Sequence, residues 1–472
     1  MNFIVYDLIF LGVFALFLAG FLYRGRENLK KEGILLLYRA NWGVKLIKKV
    51  GTKYPKTLKA LGYVSIFTGY ILMLFSIYFV GKIVWVYLFD TAFVQAVKVP
   101  PILPLFPYLP QAMDLGLPPF YFAYWIIIIA IIAIFHEFAH GIFAARDNVR
   151  IKKTGFGFFP YFLPIFLAAF VELDENQMAK KSKFSQMAVL SAGTFANLLT
   201  AILFFGLLVL FFTSAFQPSG AVYDDYVFSI APINLITLAN NVSLENPTYD
   251  ELMEVVNLSG SNMISIGDKN YVGIKGFANN KENIALYDDT PAAKLQLESI
   301  ILGINDIKIN EGDDLLNELS KYAPGETITL NVLGDDEENY DRDITLIENP
   351  RNNSKGFLGI GFYDKASSNV MQKVILWFAS FKDSHTYYTP KLGGLSIFIY
   401  NLLWWTVLIS ISVAILNMLP VGIFDGGRFF YLTVLGLTGK KKWAENSFKF
   451  LTQLMLFLVV VMMVAWFVGV FL

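Results

Sequence analysis

Two of the three histidines in the chain lie four residues apart, and a glutamate directly follows the first of them. His136, Glu137 and His140 form the pattern His-Glu-x-x-His inside an apolar segment. Residues four apart share one face of a helix, so both imidazoles can reach one metal ion. Neutral imidazole is a good zinc ligand, and Glu137 is placed to act as general base toward a water molecule there. The alternative is three polar residues satisfied by neighbouring helices, but ionisable groups in an apolar span are costly, which favours a metal site.

A catalytic zinc ion needs a third protein ligand and an open coordination position. The chain has no cysteine, so any metal must be held by His, Asp or Glu. Asp425 is the best candidate, because Gly426 and Gly427 after it permit close backbone approach and Pro420 before it interrupts the helix. An ordinary helix cap remains an alternative for Asp425. His385 is a poor rival, since it lies in a predicted connector on the opposite side of the membrane.

Asn197 is a further polar residue, early in the fourth apolar segment and within the sequence SAGTFAN. Gly193 precedes it by four residues, so a close helix approach can coexist with an amide that points at the site. Hydrogen bonding between helices would also explain the asparagine.

Composition places these residues in a membrane protein. The chain has 472 residues, of which 55% are hydrophobic and 16% charged. A soluble protein usually carries about 25% charged residues. This deficit and the long apolar runs place the chain in a bilayer. The formal net charge is zero, which argues against nucleic acid as a partner.

The apolar runs predict six transmembrane helices. The basic segment 24–59 predicts a cytoplasmic loop, so the N-terminus lies outside. Basic residues at 146–153 and 440–442 agree with this orientation, which puts 214–390 outside and the active site toward the cytoplasmic side. The first run lacks a leading basic region and is interpreted as a retained transmembrane helix. The predicted spans are 3–23, 61–88, 119–145, 186–213, 393–418 and 445–470.

Two apolar segments are too irregular to span the membrane. Segment 90–118 is rich in proline and is predicted on the outer side. Segment 155–171 contains Gly155, Gly157, Pro160 and Pro164 among apolar residues. Non-helical backbone at membrane depth is tolerated only against protein or a water-filled cavity. We therefore interpret it as a re-entrant hairpin beside the site, with an interfacial loop as the alternative.

Segment 221–366 changes to short elements and an acidic balance. Its order resembles a PDZ domain, with GFLGI at 356–360 as the peptide-binding strand displaced to the end. PDZ domains bind extended peptides by adding a strand to a sheet edge. A generic α+β domain is the alternative. The predicted elements are a helix at 291–297, a strand at 299–309 broken by Gly303, a helix at 313–322 and a strand after Pro324-Gly325.

The motifs together resemble the site-2 protease family of intramembrane zinc metalloproteases. They are HEFAH at 136–140, SAG-x-x-x-N at 191–197, and N-x-x-P with D-G at 417–426. The resemblance implies His136, His140 and Asp425 as zinc ligands and Glu137 as catalytic acid and base. It implies that Asn197 and Asn417 are polar groups near the site or position the substrate. Thr194 and Phe424 stand where the family usually has Pro and Leu, and neither is a metal ligand.

The expected fold is a mostly α polytopic membrane protein with about six transmembrane helices and an inserted extracytoplasmic α+β PDZ-like domain. We expect two catalytic membrane halves on either side of that insert. The expected domains are 1–60 with the first helix and basic loop, 61–118 with the second helix and Pro-rich segment, 119–213 with HExxH and the re-entrant segment, 214–390 with the PDZ-like domain at about 221–366, and 391–472 with the Asp-Gly motif and last helix.

The expected function is hydrolysis of peptide bonds in or near the transmembrane segments of membrane proteins, with Zn²⁺ as cofactor. The expected partners are membrane-protein substrates, the lipid bilayer and a peptide C-terminus at the PDZ-like domain. Two alternatives stay open on the sequence. One is a non-proteolytic membrane metal-binding protein or transporter, and the other is an inactive PDZ scaffold.

Overall fold

The computed structural model divides the chain into two compact units, Met1–Phe211 with Ile397–Leu472 and Phe212–Ser396. The first unit holds the apolar helices and the second holds most of the strands. The structure describes residues 3–32, 35–90, 94–95, 98–158, 167–257, 262–278, 281–363, 373, 376 and 378–471.

Among the described residues, six helices are long and apolar enough to cross a membrane, which confirms the number predicted from hydropathy. The helices at 55 and 183 begin several residues before the predicted spans. Their first turns contain lysines, which form helices readily but which a hydropathy pattern leaves out. The six helices are α1 (Phe3–Arg24), α3 (Pro55–Phe89), α5 (Phe122–Arg146), α7 (Lys183–Ala215), α11 (Gly394–Asn417) and α13 (Lys441–Phe471).

Shorter helices lie between these spans. The side chain of Asp174 accepts a hydrogen bond from the backbone N–H of Gln177 and so caps the helix that follows it. In the described part of the Pro-rich segment 90–118, a short helix follows Tyr108, whose φ is +67°. The shorter helices of this unit are α2 (Val44–Lys53), α4 (Leu109–Ala112), α6 (Glu175–Ala179) and α12 (Asp425–Thr438).

A four-stranded antiparallel sheet belongs to the same unit, in the order β1-β2-β3-β4. Its inner register joins Arg39 to Gly155 and Gly155 to Phe170. A Cβ on Gly155 would overlap the carbonyl oxygen of Tyr38, so the close approach of β3 to β2 at this position requires glycine. The strands are β1 (Leu29–Glu32), β2 (Leu35–Ala40), β3 (Ile151–Phe158) and β4 (Leu167–Leu173).

The sheet bears on two sequence interpretations. Strands β3 and β4 run antiparallel through the predicted re-entrant segment 155–171. Pro160 and Pro164 lie outside the described residues, as does the rest of 159–166. Strands β1 and β2 were not foreseen, because segment 24–59 was interpreted only as a basic loop.

A buried carboxylate joins α1 to α5. Asp7 accepts hydrogen bonds from the backbone N–H groups of Phe122 at 2.7 Å and Ala123 at 3.0 Å. The hydroxyl of Tyr108 donates to the same carboxylate at 2.6 Å. The first N–H groups of a helix have no partner inside the helix. Asp7 therefore caps the start of α5 from a different helix.

The second unit contains two larger sheets, each with its own hydrophobic core. The first has the order β7-β12-β11-β10-β8-β9 and packs with α8 (Tyr249–Val255), which starts at a capping box formed by Thr248 and Glu251. Its strands are β7 (Phe228–Pro232), β8 (Leu238–Ala239), β9 (Val242–Ser243), β10 (Ile264–Ile266), β11 (Lys269–Ala278) and β12 (Asn283–Asp288).

The other sheet of this unit has the order β16-β15-β13-β5-β20, and β14 pairs with β13. Among the described residues, β17 also pairs with β18 and β19 with β6. The elements are β5 (Phe216–Val222), β6 (Asp225–Tyr226), β13 (Ile300–Ile304), β14 (Ile307–Lys308), β15 (Thr327–Leu333), β16 (Asn339–Thr345), β17 (Ile347–Asn349), β18 (Asn352–Phe357), β19 (Ile360–Gly361), β20 (Thr386–Pro390), α9 (Pro291–Leu295) and α10 (Gly312–Leu319).

The predicted helices and strands between 291 and 333 are present with shifted ends. The strand expected at 299–309 is interrupted after Ile304, where Asn305 has a φ of +51°, rather than at Gly303. Gly303 lies inside β13 at an irregularity of its pairing with β15. The PDZ-like identity of this region remains a proposal.

Candidate metal centre

The helical spacing of the HExxH motif brings two imidazoles together on α5. His136 and His140 lie one turn apart, and their Nε2 atoms are 3.0 Å from each other. The ring of His136 is buried and that of His140 is nearly so. The two nitrogens therefore face a common point beside the helix.

Asp425 reaches the same point from the start of α12. Its Oδ2 atom lies 3.4 Å from Nε2 of His136 and 3.2 Å from Nε2 of His140. The chain turns sharply before this residue, and Gly427 approaches Val421 so closely that a Cβ would lie 2.8 Å from its carbonyl carbon. The glycines after Asp425 thus allow the helix start to pack tightly against the preceding turn.

The donor set fits a zinc ion. The three ligand atoms lie within 4.8 Å of one another, and the three separations are 3.0, 3.2 and 3.4 Å. Ligand atoms bound tetrahedrally to zinc at its usual bond lengths are about 3.3 Å apart. Two imidazole nitrogens and one carboxylate oxygen also leave one tetrahedral position open, as a catalytic zinc requires.

Gly193 of α7 keeps space open at this point. A Cβ on Gly193 would lie 2.7 Å from Nε2 of His136 and would also overlap Nε2 of His140. Any side chain at position 193 would therefore crowd the nitrogens that face Asp425. The predicted close approach of α7 is present in the structure.

The other nitrogen of each imidazole has a defined neighbour. Nδ1 of His140 lies 2.6 Å from the backbone carbonyl of Val189, which can only accept a hydrogen bond. Nδ1 must therefore carry the proton, which leaves Nε2 with a free lone pair for a metal.

Asn197 supplies the corresponding neighbour of His136. Its amide lies 3.0 Å from Nδ1 of His136, with Nδ2 as the nearer atom. Its Oδ1 is buried and has no hydrogen-bond partner among the described residues. The two ends of an amide are assigned from the hydrogen bonds they can make. Rotating the amide lets Oδ1 accept from a protonated Nδ1, so that both imidazoles offer Nε2 to the metal.

Glu137 follows His136 on α5 and lies beside this centre. Its Oε2 accepts a hydrogen bond from the backbone N–H of Val171 at 3.0 Å. Val171 belongs to β4, which is the last strand in the sheet order of the described residues. The Glu137 carboxylate therefore contacts the edge of this strand.

A cavity of about 1000 Å³ opens onto the centre. His136, Glu137, His140 and Asp425 line it, and so does Asn417 at the end of α11. The structure thus places Asn417 at the site predicted for it. Further charged residues contribute to the lining, namely Glu32, Arg39, Lys152, Glu172, Glu175 and Arg428.

Several site features were not predicted from the sequence. The Val189 carbonyl and the Val171 N–H are backbone groups, so no residue type in the sequence predicts them.

His385 lies in the second unit, where its Nε2 is 2.9 Å from Oδ2 of Asp224. This is a protein partner and agrees with the exclusion of His385 from the metal site.

Two comparisons relate the chain to known proteins. The profile described as Peptidase family M50 matches residues 124–462, which is more than two thirds of the chain. The chain is also similar to the zinc metalloprotease RasP of Shouchella clausii (strain KSM-K16), with 23% identity over 181 residues. That match covers 33% of this chain and 43% of the relative, so it spans less than half of the relative's length.

Proposed function

The chain belongs to peptidase family M50, and from that premise we propose that it hydrolyses peptide bonds in or near the transmembrane segments of other membrane proteins. Family membership and the six apolar helices among the described residues make it a multi-pass membrane metalloprotease of the site-2 protease type. One observation carries the finer proposal. The ligand atoms of His136, His140 and Asp425 converge within 4.8 Å, with Glu137 next to them.

The proposed chemistry divides between a metal and one carboxylate. Zinc held by His136, His140 and Asp425 would lower the pKa of a water molecule and polarise the scissile carbonyl. Glu137 would take the proton of the attacking water and pass it to the leaving amine. The Val171 N–H orients this carboxylate until substrate arrives.

We propose that β4 presents the substrate. A helical substrate hides its carbonyls in internal hydrogen bonds, so the scissile segment must unwind before attack. Extended peptides commonly pair with an exposed sheet edge. The edge of β4 lies beside Glu137 and lines the cavity with Ala169 and Val171. Pairing there would hold the segment extended next to the three ligands.

The orientation proposed from the basic segments puts the cavity on the cytoplasmic side. Its lining includes Arg39 from the basic segment 24–59 and Lys152 from the basic run after α5. Water could then enter from the cytoplasm without crossing apolar lipid. The second unit would lie outside, where we propose that it excludes large substrates or binds a C-terminus newly made by another protease.

The replacement Glu137→Gln tests the proteolytic role directly. Glutamine keeps the size of the side chain but cannot act as the general base, so cleavage should be lost while zinc stays bound. The measurements are the zinc content of the purified chain and cleavage of a transmembrane substrate in nanodiscs. Glu27→Gln, an exposed change outside the cavity, is the matched control and should cleave normally.

The same experiment separates the proposal from a metal carrier or transporter. A protein that only binds the metal needs its ligands but no base. Equal cleavage by Glu137→Gln and the control would remove Glu137 from the mechanism. Zinc binding by wild type without cleavage of any transmembrane substrate would favour the non-proteolytic alternative.

A further inference from the structure

Helix α2 presents a row of lysines away from the protein. Lys45, Lys48, Lys49 and Lys53 are all exposed and occupy one side of the helix, and we call them the lysine face. Ile47 and Gly51 lie on the opposite side and are buried. The helix is therefore amphipathic: one side packs against the protein and the other is exposed and can contact a partner.

The charge of the lysine face is not neutralised within the protein. In the part of the chain that the structure describes, the ion pairs involve other lysines and include none of these four. Lys53 lies over the ring of Tyr54, 5.2 Å from its centroid. Four positive charges within three helical turns are thus available to bind an anionic partner.

The helix lies between the ends of two candidate spans. It stops one residue before α3, and a Cβ on Gly51 would contact the carbonyl oxygen of Ile142 near the end of α5. Trp42, Leu46 and Tyr54 are exposed beside the lysine face, at 40%, 54% and 48%. Aromatic residues and lysines in this position are typical of helices at the level of lipid headgroups.

We propose that the lysine face binds the anionic headgroups of the membrane that the chain itself spans. Charge complementarity and the position of α2 between two span ends support this partner. Each lysine near an anionic surface strengthens such binding by about fivefold. The four lysines together therefore make α2 selective for anionic over zwitterionic lipid.

The buried side of α2 connects this surface to the active site. Ile47 is fully buried and belongs to a hydrophobic cluster against which Phe138, Ile142 and Val171 pack. It also lies so close to Gly141 that a Cβ there would be 2.9 Å from its side chain. Gly141 follows His140, and Val171 donates to Glu137. Headgroup binding would hold α2 against Gly141 and β4 beside the site and so increase the rate of proteolysis. This consequence rests on the proposed function.

Hydrogen–deuterium exchange of the full chain in nanodiscs tests the binding. Discs of phosphatidylcholine alone are compared with discs containing equal parts of phosphatidylcholine and phosphatidylglycerol. Exchange across 41–59 should slow by at least about fivefold with phosphatidylglycerol, and high salt should reverse the change. Carrying Glu137→Gln in every sample makes this readout independent of proteolysis.

A matched pair of triple variants shows whether the lysine face is responsible. Lys45→Gln/Lys49→Gln/Lys53→Gln should lose the protection, whereas Lys440→Gln/Lys441→Gln/Lys442→Gln removes the same charge from exposed lysines elsewhere and should keep it. Equal exchange in the two lipids, or equal loss in both variants, would overturn the proposal. With Glu137 restored, phosphatidylglycerol should stimulate cleavage only when the lysine face is intact. Protection without stimulation would overturn the link to the active site.

Discussion

The two imidazoles of the centre are oriented by groups that never touch the metal. The Val189 carbonyl faces Nδ1 of His140, and the Asn197 amide faces Nδ1 of His136. Such partners fix the tautomer and the ring position of a ligating histidine. One partner is a backbone group, but the other is a side chain that can be changed.

Replacing Asn197 tests which end of its amide faces the ring. Asn197→Asp keeps an oxygen that accepts from Nδ1 and should bind zinc at least as tightly as wild type. Asn197→Leu keeps the approximate shape without an acceptor and should weaken zinc binding about 10-fold to 100-fold. Competition with a chelator measures both affinities, and thermal unfolding checks that each variant is folded. Equal weakening by the two variants would mean that Asn197 donates instead.

At the level of residues, the sequence predicts what depends on local spacing. His136, Glu137 and His140 follow from the period of one helix, and Asp425 from its proline and glycine neighbours. The groups that complete the site come from distant backbone, the Val189 carbonyl and the Val171 N–H. Their positions depend on how separate elements pack, which spacing along the chain does not specify.

At the level of elements, the free edge of β4 has a definite direction. The N–H of Val171 points to Glu137, away from β3. Amides two residues apart in a strand point the same way. The N–H of Ala169 therefore also points out from the edge, into the cavity that the strand lines.

Ala169→Pro should impair substrate binding without harming the metal centre. Proline removes the outward donor and places its ring where a paired substrate strand would lie, while leaving the β3 side of β4 intact. Loss of one backbone hydrogen bond predicts a fall in kcat/KM of about fivefold to tenfold. Ala169→Ser retains the N–H and is the control. Unchanged kcat/KM for the proline variant, measured on a transmembrane substrate, would argue against strand pairing at β4.

The elements also differ in how well the sequence predicts them. Each apolar helix is visible because one run of residues contains the whole signal. Strands β1 and β2 complete a sheet with residues more than a hundred positions away, as the pairing of Arg39 with Gly155 shows. The many lysines around them favoured a loop, since the partner strand was not apparent.

At the level of the whole molecule, the first and last strands of the second unit, β5 and β20, pair with each other. Thr386 of β20 pairs with Ala221 of β5, and the N–H of Val222 donates to the carbonyl of His385 at 2.8 Å. The intervening residues include both hydrophobic cores of the unit apart from Ala221. A short turn between Val222 and His385 can therefore connect β5 to β20 in place of the intervening residues.

Replacing residues 223–384 with an Asn-Gly turn tests the proposed filter. Such a turn suits two adjacent antiparallel strands. The shortened chain should still bind zinc and cleave a short transmembrane peptide, and it should gain activity on substrates with large outer domains. Total loss of cleavage of the short peptide would show that this region is needed for more than selection.

A second replacement distinguishes bulk from recognition. An unrelated folded domain of similar size, with adjacent termini, is inserted at the same place. Restored exclusion of large substrates would indicate a steric barrier. Continued loss of selection would indicate that the native region recognises a peptide.

The sequence describes this region only in part. The elements from 291 to 333 follow a familiar order of helix and strand, and their existence was predicted. The sheet between 228 and 288 has a separate core, whereas segment 221–366 was interpreted as one domain. This core depends on pairing between strands far apart in the chain, such as β7 with β12, so no local pattern distinguishes two cores from one.

Through the carboxylate of Asp7, the first helix caps the start of α5, a role that hydropathy does not indicate. Its two backbone contacts, with Phe122 and Ala123, anchor the opening turn of the helix that continues to the histidine pair. A shortened chain beginning after α1 would leave these amides unsatisfied in an apolar setting, at a cost of several kcal/mol. Expression formats that dispense with the leading helix would therefore produce a protein whose defect starts at one end of the catalytic scaffold.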